Sequence, residues 1–223
     1  MTRNQDQLFD GKHVVEFDNE FDRRSFLRTA LIVGVGASVV GHALGDPTSA
    51  SRSSAFAGNL ASKSVQGDLD ILNYALTLEY LESEFYARGV QGDVVSGREL
   101  ELVTPIADHE AAHVTAVLDT VKALGGKPVK KPKFKFPAGT FTNRNKFLQT
   151  ASVFEELGVK AYHGQVTLID SPDILAAAAS IAGVESRHAA ILADLIGGNP
   201  FPQPIEANLP MGAVLKAAKP FLA

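Results

Sequence analysis

Two short pairings in this sequence carry chemistry. Glu110 is followed three residues later by His113, and Glu185 is followed three residues later by His188. Residues three apart share a helix face, so each pair offers a carboxylate beside an imidazole. Two further acids stand upstream at matching distances: Glu79 lies 31 residues before Glu110, and Glu155 lies 30 before Glu185. Each upstream acid is followed seven residues later by a tyrosine, Tyr86 and Tyr162. Four carboxylates and two imidazoles gathered in one place are ligands for divalent cations of the iron and manganese type. With 12 Glu and 6 His in 223 residues, random placement gives roughly 0.3 such Glu-x-x-His pairs. Two pairs with matched upstream partners are therefore a pattern.

These groups stand where a core should be. The second helical stretch presents Val103, Ile106, Glu110, His113, Val117, Val121 and Leu124 on one face, and a later one presents Ile174, Ala178, Ile181, Glu185, His188, Leu192 and Leu195. The upstream stripes are Leu72, Ala75, Glu79, Glu82, Tyr86 and Leu148, Ala151, Glu155, Gly158, Tyr162. An ionised carboxylate in a dry core is costly unless it is paired or metal-bound. Converging carboxylates also raise one another's pKa by like-charge repulsion. A divalent cation relieves both penalties.

The elements that position these residues read as helices over 68–88, 98–124, 143–169 and 172–196. Gly67-Asp68 reads as the start of the first, Thr142 as the cap of the third, and Ser171-Pro172 as cap and first residue of the fourth. Gly89, Gly125-Gly126 and Gly197-Gly198 mark helix ends. No stretch reads as sustained alternation of period two, so the fold class is all-α. The first and last pairs of helices are joined by short links, which make antiparallel neighbours. Residues 125–142 form a long connection; extended at about 3.3 Å per residue it reaches about 60 Å, against about 37 Å for a helix of about 25 residues. The expected architecture is two antiparallel helix hairpins joined by a long crossover. Its parts are a leader over 1–57, a four-helix bundle over 58–198 and a Pro-rich tail over 199–223 that drapes over the bundle, with a short helix near 211–219.

A Glu in one helix and Glu-x-x-His in the next, given twice, resembles the ligand pattern of ferritin-like dimetal carboxylate bundles. The phrases LNYALTLEYLESEFYARG, DHEAAHVTAVLDTVKALGGKP, FEELGVKAYHG and VESRHAAILADLIGG resemble a bacterial ferritin-like domain family related to plant desiccation-associated proteins. The resemblance covers residues 68–196. It implies that Glu79, Glu110, His113, Glu155, Glu185 and His188 hold two divalent metal ions per chain, iron or manganese. Glu110 and Glu185 would then bridge ions about 3.5–4 Å apart. Glu82 shares the stripe and is an alternative ligand, whereas Glu156 lies about 100° round the helix and reads as solvated. Tyr86 and Tyr162 either hydrogen-bond ligand carboxylates or fill the core. Asp108 and Arg187 either steady ligands or lie at the surface. His109 and His163 read as off the ligand stripe and incidental.

Residues 22–28 (DRRSFLR), the apolar stretch over 29–44 and the small residues that follow have the three parts of a secretory signal. The paired arginines resemble a bacterial twin-arginine signal, with Asp22 where Ser or Thr is usual. Ala55-Phe56-Ala57 and Ser49-Ala50 both suit cleavage. The resemblance implies export to the periplasm or cell envelope, with the membrane involved only in export. His13 and His42 fall in this leader. The chain has no cysteine, which removes disulfides and thiolate ligands. A net charge of -4 gives no reason to expect nucleic acid, and no apolar run reaches the ~20 residues of a bilayer span. Lys127, Lys130, Lys131, Lys133 and Lys135 crowd the crossover and read as a solvated loop rather than a dock for an anionic surface.

The function expected is an exported dimetal protein reacting with oxygen or peroxide. The alternatives are iron handling or storage, and a non-enzymatic stress or desiccation-related envelope protein. Whether the chain is an enzyme stays open at this point, and a homo-oligomer is compatible with every reading.

Overall fold

The computed structural model describes residues 47–223, with side chains from residue 65 onward. The paired arginines, the apolar stretch after them, His13 and His42 lie outside the described residues, as do the side chains at both cleavage sites. Helix α1 runs Pro47–Gln91. It begins well before the start expected at 68, because after Pro47 its first turns are rich in Ala and Ser and contain no further proline to interrupt them. Asp68 therefore starts no helix. It is 2% exposed, and its two carboxylate oxygens accept the backbone N–H groups of Asp170 and Ser171 at 2.9 and 3.0 Å. It caps the connection between the last two bundle helices instead of its own.

Helix α2 spans Arg98–Ala123 and α3 spans Arg144–Gln165. The cap of α3 is Asn143 rather than Thr142: its side chain accepts the Lys146 N–H at 3.0 Å. The helix stops short of 169, in turns over 166–168. Helix α4 spans Pro172–Leu195, with Ser171 capping and Pro172 at its start as expected. Helix α5, Met211–Ala218, and a 3-10 turn, Lys219–Phe221, close the chain. Among the described residues there is no β-strand, and no helix is long and apolar enough to cross a membrane.

The architecture is all-α, a four-helix bundle. Helices α1 and α2 form one hairpin, α3 and α4 the other, and α1 packs on α3. Two apolar layers fill the bundle. One holds Phe85, Tyr86, Val103, Phe147, Phe154 and Leu192; the other holds Leu72, Leu76, Val117, Val121 and Ile174. Along every helix the acidic position falls between a residue of one layer and a residue of the other, so the ligand candidates occupy a polar slice between two dry ones.

The crossover contains an alternation that the sequence reading passed over. Lys131, Lys133 and Lys135 are exposed while Phe134 and Phe136 are half-buried against the aromatic layer. Lys135 donates its N–H to the Phe221 carbonyl and Ala223 donates to that of Lys133, both at 2.9 Å. The C-terminal tail thus clips the crossover to the bundle. Lys131 pairs with Glu84 at 2.9 Å.

Candidate metal centre

Each bundle helix delivers its acid from the middle of an apolar stripe, and the four acids converge. Glu79, Glu110, Glu155 and Glu185 are all 0% exposed; His113 and His188 are 8% and 4% exposed. One set of ligand atoms comes from Glu79, Glu110, His113 and Glu185, and a second from Glu110, Glu155, Glu185 and His188. In each set the atoms lie within 4.8 Å of one another. Glu110 and Glu185 belong to both sets, the two residues expected to bridge. All six expected ligands are therefore brought together, three of them from each hairpin.

Both imidazoles turn Nδ1 inward. His113 Nδ1 stands 3.4 Å from Glu79, 3.5 Å from Glu110 and 3.1 Å from Glu185. His188 Nδ1 stands 3.1 Å from Glu110 and 3.2 Å from Glu155. Only the contact to Glu155 has hydrogen-bond alignment. Both oxygens of Glu110 and of Glu185, Glu79 Oε2 and His113 Nδ1 are buried with no hydrogen-bond partner. Buried polar atoms are nearly always paired. Six orphaned donor atoms facing one another fit a divalent cation in both charge and chemistry.

The electrostatics are those of buried acids and imidazoles crowded together. Burial, then the Glu185 charge, pushes Glu110 up to about 7, although His113 and His188 pull it back. Glu185 is raised by burial and by Glu155, and Glu155 by burial against the counter-pull of His188. Burial lowers the His188 imidazole, but the Glu110 and Glu155 carboxylates outweigh it and hold it at about 10. His113 is likewise lowered by burial and raised further by Glu110, Glu185 and Glu79, to end well above its ordinary value.

The surrounding residues divide clearly. Tyr86 donates its hydroxyl to Glu155 Oε1 at 2.6 Å, and Tyr162 donates to Glu79 Oε1. Both tyrosines hydrogen-bond carboxylates of the cluster, and Tyr86 also fills the aromatic layer. Glu82 is 3% exposed, and burial followed by the charges of Glu185, Glu110, Glu155 and Glu79 raises its pKa. It adjoins the cluster but stands outside both four-residue sets. Glu156 is solvated, as expected, and pairs with Lys160 at 2.9 Å. Asp108 and Arg187 are exposed. His163 Nδ1 meets the Val159 carbonyl at 2.8 Å, within its own helix.

His109 is the correction. It is not incidental: its Nδ1 lies 2.9 Å from His188 Nε2, and the two rings lie edge to edge, with centroids 5.2 Å apart and 12° between planes. Spacing alone did not show this: His109 is exposed on α2 while His113 is buried, and its partner lies on another helix.

The family model of the Ferritin-like domain matches residues 67–198. A solved structure described as ferritin like, diiron-carboxylate proteins from Bacillus anthracis str. Ames is similar in fold, with a TM-score of 0.51 at 21% identity. That match covers 60% of this chain and 97% of the other. No curated protein matches the sequence.

Proposed function

This chain belongs to the ferritin-like domain family, and from that premise we propose that its buried cluster holds a dinuclear iron or manganese centre that acts on oxygen or peroxide. The observation that carries the reading is the pair of four-residue sets sharing Glu110 and Glu185, with six of their buried donor atoms unpartnered. Glu79 and His113 would serve one ion, Glu155 and His188 the other, and Glu110 and Glu185 both. Oxygen and imidazole donors without thiolate suit iron or manganese. When bound, the ions supply Lewis acidity and one-electron redox capacity.

The chain's own residues then have definite tasks. Tyr86 and Tyr162 fix one oxygen each of Glu155 and Glu79, leaving the other oxygen of each for an ion. The apolar layers on either side exclude water, which strengthens every charge interaction between them. The imidazoles turn Nδ1 to the cluster, where each would meet an ion only in its unprotonated form. Fold alone does not fix the reaction; the redox reading rests on the donor set.

Metal analysis of the folded protein tests the centre. About two iron or manganese atoms per chain, absent from a Glu110→Ala/Glu185→Ala variant, are expected. Peroxide or oxygen consumption by the reduced protein is expected with them. Metal-free protein from metal-replete cells would sink the reading. Bound metal without turnover would leave a cation that only stabilises the fold, the stress-protein alternative.

We also propose export by the twin-arginine route to the periplasm or cell envelope, on residues 22–28 (DRRSFLR) and the apolar stretch after them. Replacing Arg23 and Arg24 by Lys should leave the protein in the cytoplasmic fraction. Unchanged secretion would refute the assignment.

A further inference from the structure

The internal repeat is broken behind one of its two imidazoles. His109 immediately precedes Glu110; the corresponding residue before Glu185 is Val184. His109 therefore has no polar counterpart in the second Glu-x-x-His helix. It stands on α2 yet reaches His188 on α4, joining the two hairpins at the rim of the cluster. His109 is exposed where His188 is buried.

The contact has one consistent proton arrangement if His188 is a ligand. His188 Nδ1 faces Glu110 and Glu155 at 3.1 and 3.2 Å, so Nδ1 must present a lone pair to an ion. The ring proton then sits on Nε2, which is 2.9 Å from His109 Nδ1. That N–H donates, His109 Nδ1 accepts, and His109 carries its own proton on Nε2. An outer partner of this kind fixes a ligand's tautomer and orientation and raises its basicity. With 12° between the ring planes, the Nε2–H of His188 points along the lone pair of His109 Nδ1, in the plane of both rings.

We propose that His109 is a positioning residue for His188, and that it makes the two halves of the centre unequal, the half containing Glu155 and His188 binding its ion more tightly. This rests on the metal-centre reading, and the experiment separates the two. Metal-free full-length protein is titrated anaerobically with cobalt(II), followed by visible absorption, for the wild type, His109→Leu, His109→Gln, His188→Ala and His113→Ala. The wild type should take up two ions in distinguishable steps. His109→Leu should weaken one step ~10–100-fold and change its absorption band, and that step should be the one His188→Ala abolishes. His109→Gln, whose amide oxygen can accept from His188, should recover most of the affinity. Far-ultraviolet circular dichroism of the metal-free variants should match the wild type, so that a changed step reports the site and not the fold.

Identical isotherms for wild type and His109→Leu would overturn the inference, and so would equal weakening of both steps or weakening of the step lost in His113→Ala. In each of those cases the wild type still binds cobalt, so the metal centre stands. No cobalt uptake by the wild type would remove the centre and the inference together.

Discussion

The Tyr86 hydroxyl donates to Glu155 Oε1 at 2.6 Å, joining the first bundle helix to the third. Tyr162 returns the same bond from the third helix to Glu79 on the first. The two bonds are mates in the internal repeat, and each holds a carboxylate that its own helix cannot satisfy. Removing the Tyr86 hydroxyl leaves a buried carboxylate oxygen without its donor, which costs about 1–3 kcal/mol. Tyr86→Phe should therefore destabilise the metal-free protein by about that amount in urea denaturation. A change below about 0.5 kcal/mol would mean that the hydroxyl only fills space.

Stability of the metal-free protein should fall as pH rises. Glu110 is raised from 4.5 to about 7 and His188 from 6.5 to about 10. The folded chain thus keeps protons that the unfolded chain has released, and stability declines with pH wherever the folded state binds more protons. The Glu110 contribution is complete below about 4.5 and is lost through 7. That of His188 is complete below 6.5 and is lost through about 10. Metal binding displaces these protons, so metal should stabilise most at the alkaline end. Urea midpoints measured from pH 5 to 10, with and without metal, check both slopes. A metal-free profile that rises across this range would contradict the protonated cluster.

Much of this centre was legible because helical spacing converts directly into a shared face. Glu79, Glu110, His113, Glu155, Glu185 and His188 interrupt apolar stripes, and the stripes fixed both the helices and the direction in which the acids point. What spacing along one helix could not give was contact between helices. His109 became significant only once α2 and α4 were brought side by side, and Asp68 only once the connection before α4 was placed over it. The early start of α1 was hidden because Gly67-Asp68 has the local chemistry of a helix start. That chemistry is spent on Asp170 and Ser171 instead. The alternation of Lys and Phe in the crossover was masked by its prolines, and packing against the aromatic layer exposed it.

Gly158 should prove necessary to the site rather than to the helix. A β-carbon there would stand 2.9 Å from Glu185 Oε2 and 3.2 Å from Glu82 Oε1. Its mate in the repeat is Glu82 itself, three residues after Glu79 as Gly158 is three after Glu155. The missing side chain on α3 is thus the room that Glu82 uses. Gly158→Ala gains up to about 1 kcal/mol of helix propensity while displacing Glu185, which the proposed centre shares between its ions. Metal-free stability should hold or rise, and metal affinity should fall at least ~10-fold, a loss of about 1.4 kcal/mol. Isothermal titration with manganese(II) against the wild type measures it; equal affinities would show that Glu185 has slack to move.

The same carboxylates that would bind metal should be a burden on the metal-free fold. Glu185 is fully buried, with neither oxygen hydrogen-bonded, and is crowded by Glu155. A buried carboxylate beside like charges costs free energy that an apolar residue of similar size does not, and His113 keeps Glu79 and Glu110 as partners when Glu185 is removed. Glu185→Leu should therefore raise the urea midpoint of metal-free protein at pH 8, where the charge is least welcome. The gain should shrink at pH 5, where the cluster is protonated. With metal present the order should reverse, because only the wild type gains binding free energy in the folded state. Four measurements decide it: two proteins, each with and without metal. If Glu185→Leu is the less stable in both conditions, the carboxylate is a structural member of the core. Crossing of the two orders is what a site held at the expense of stability must give.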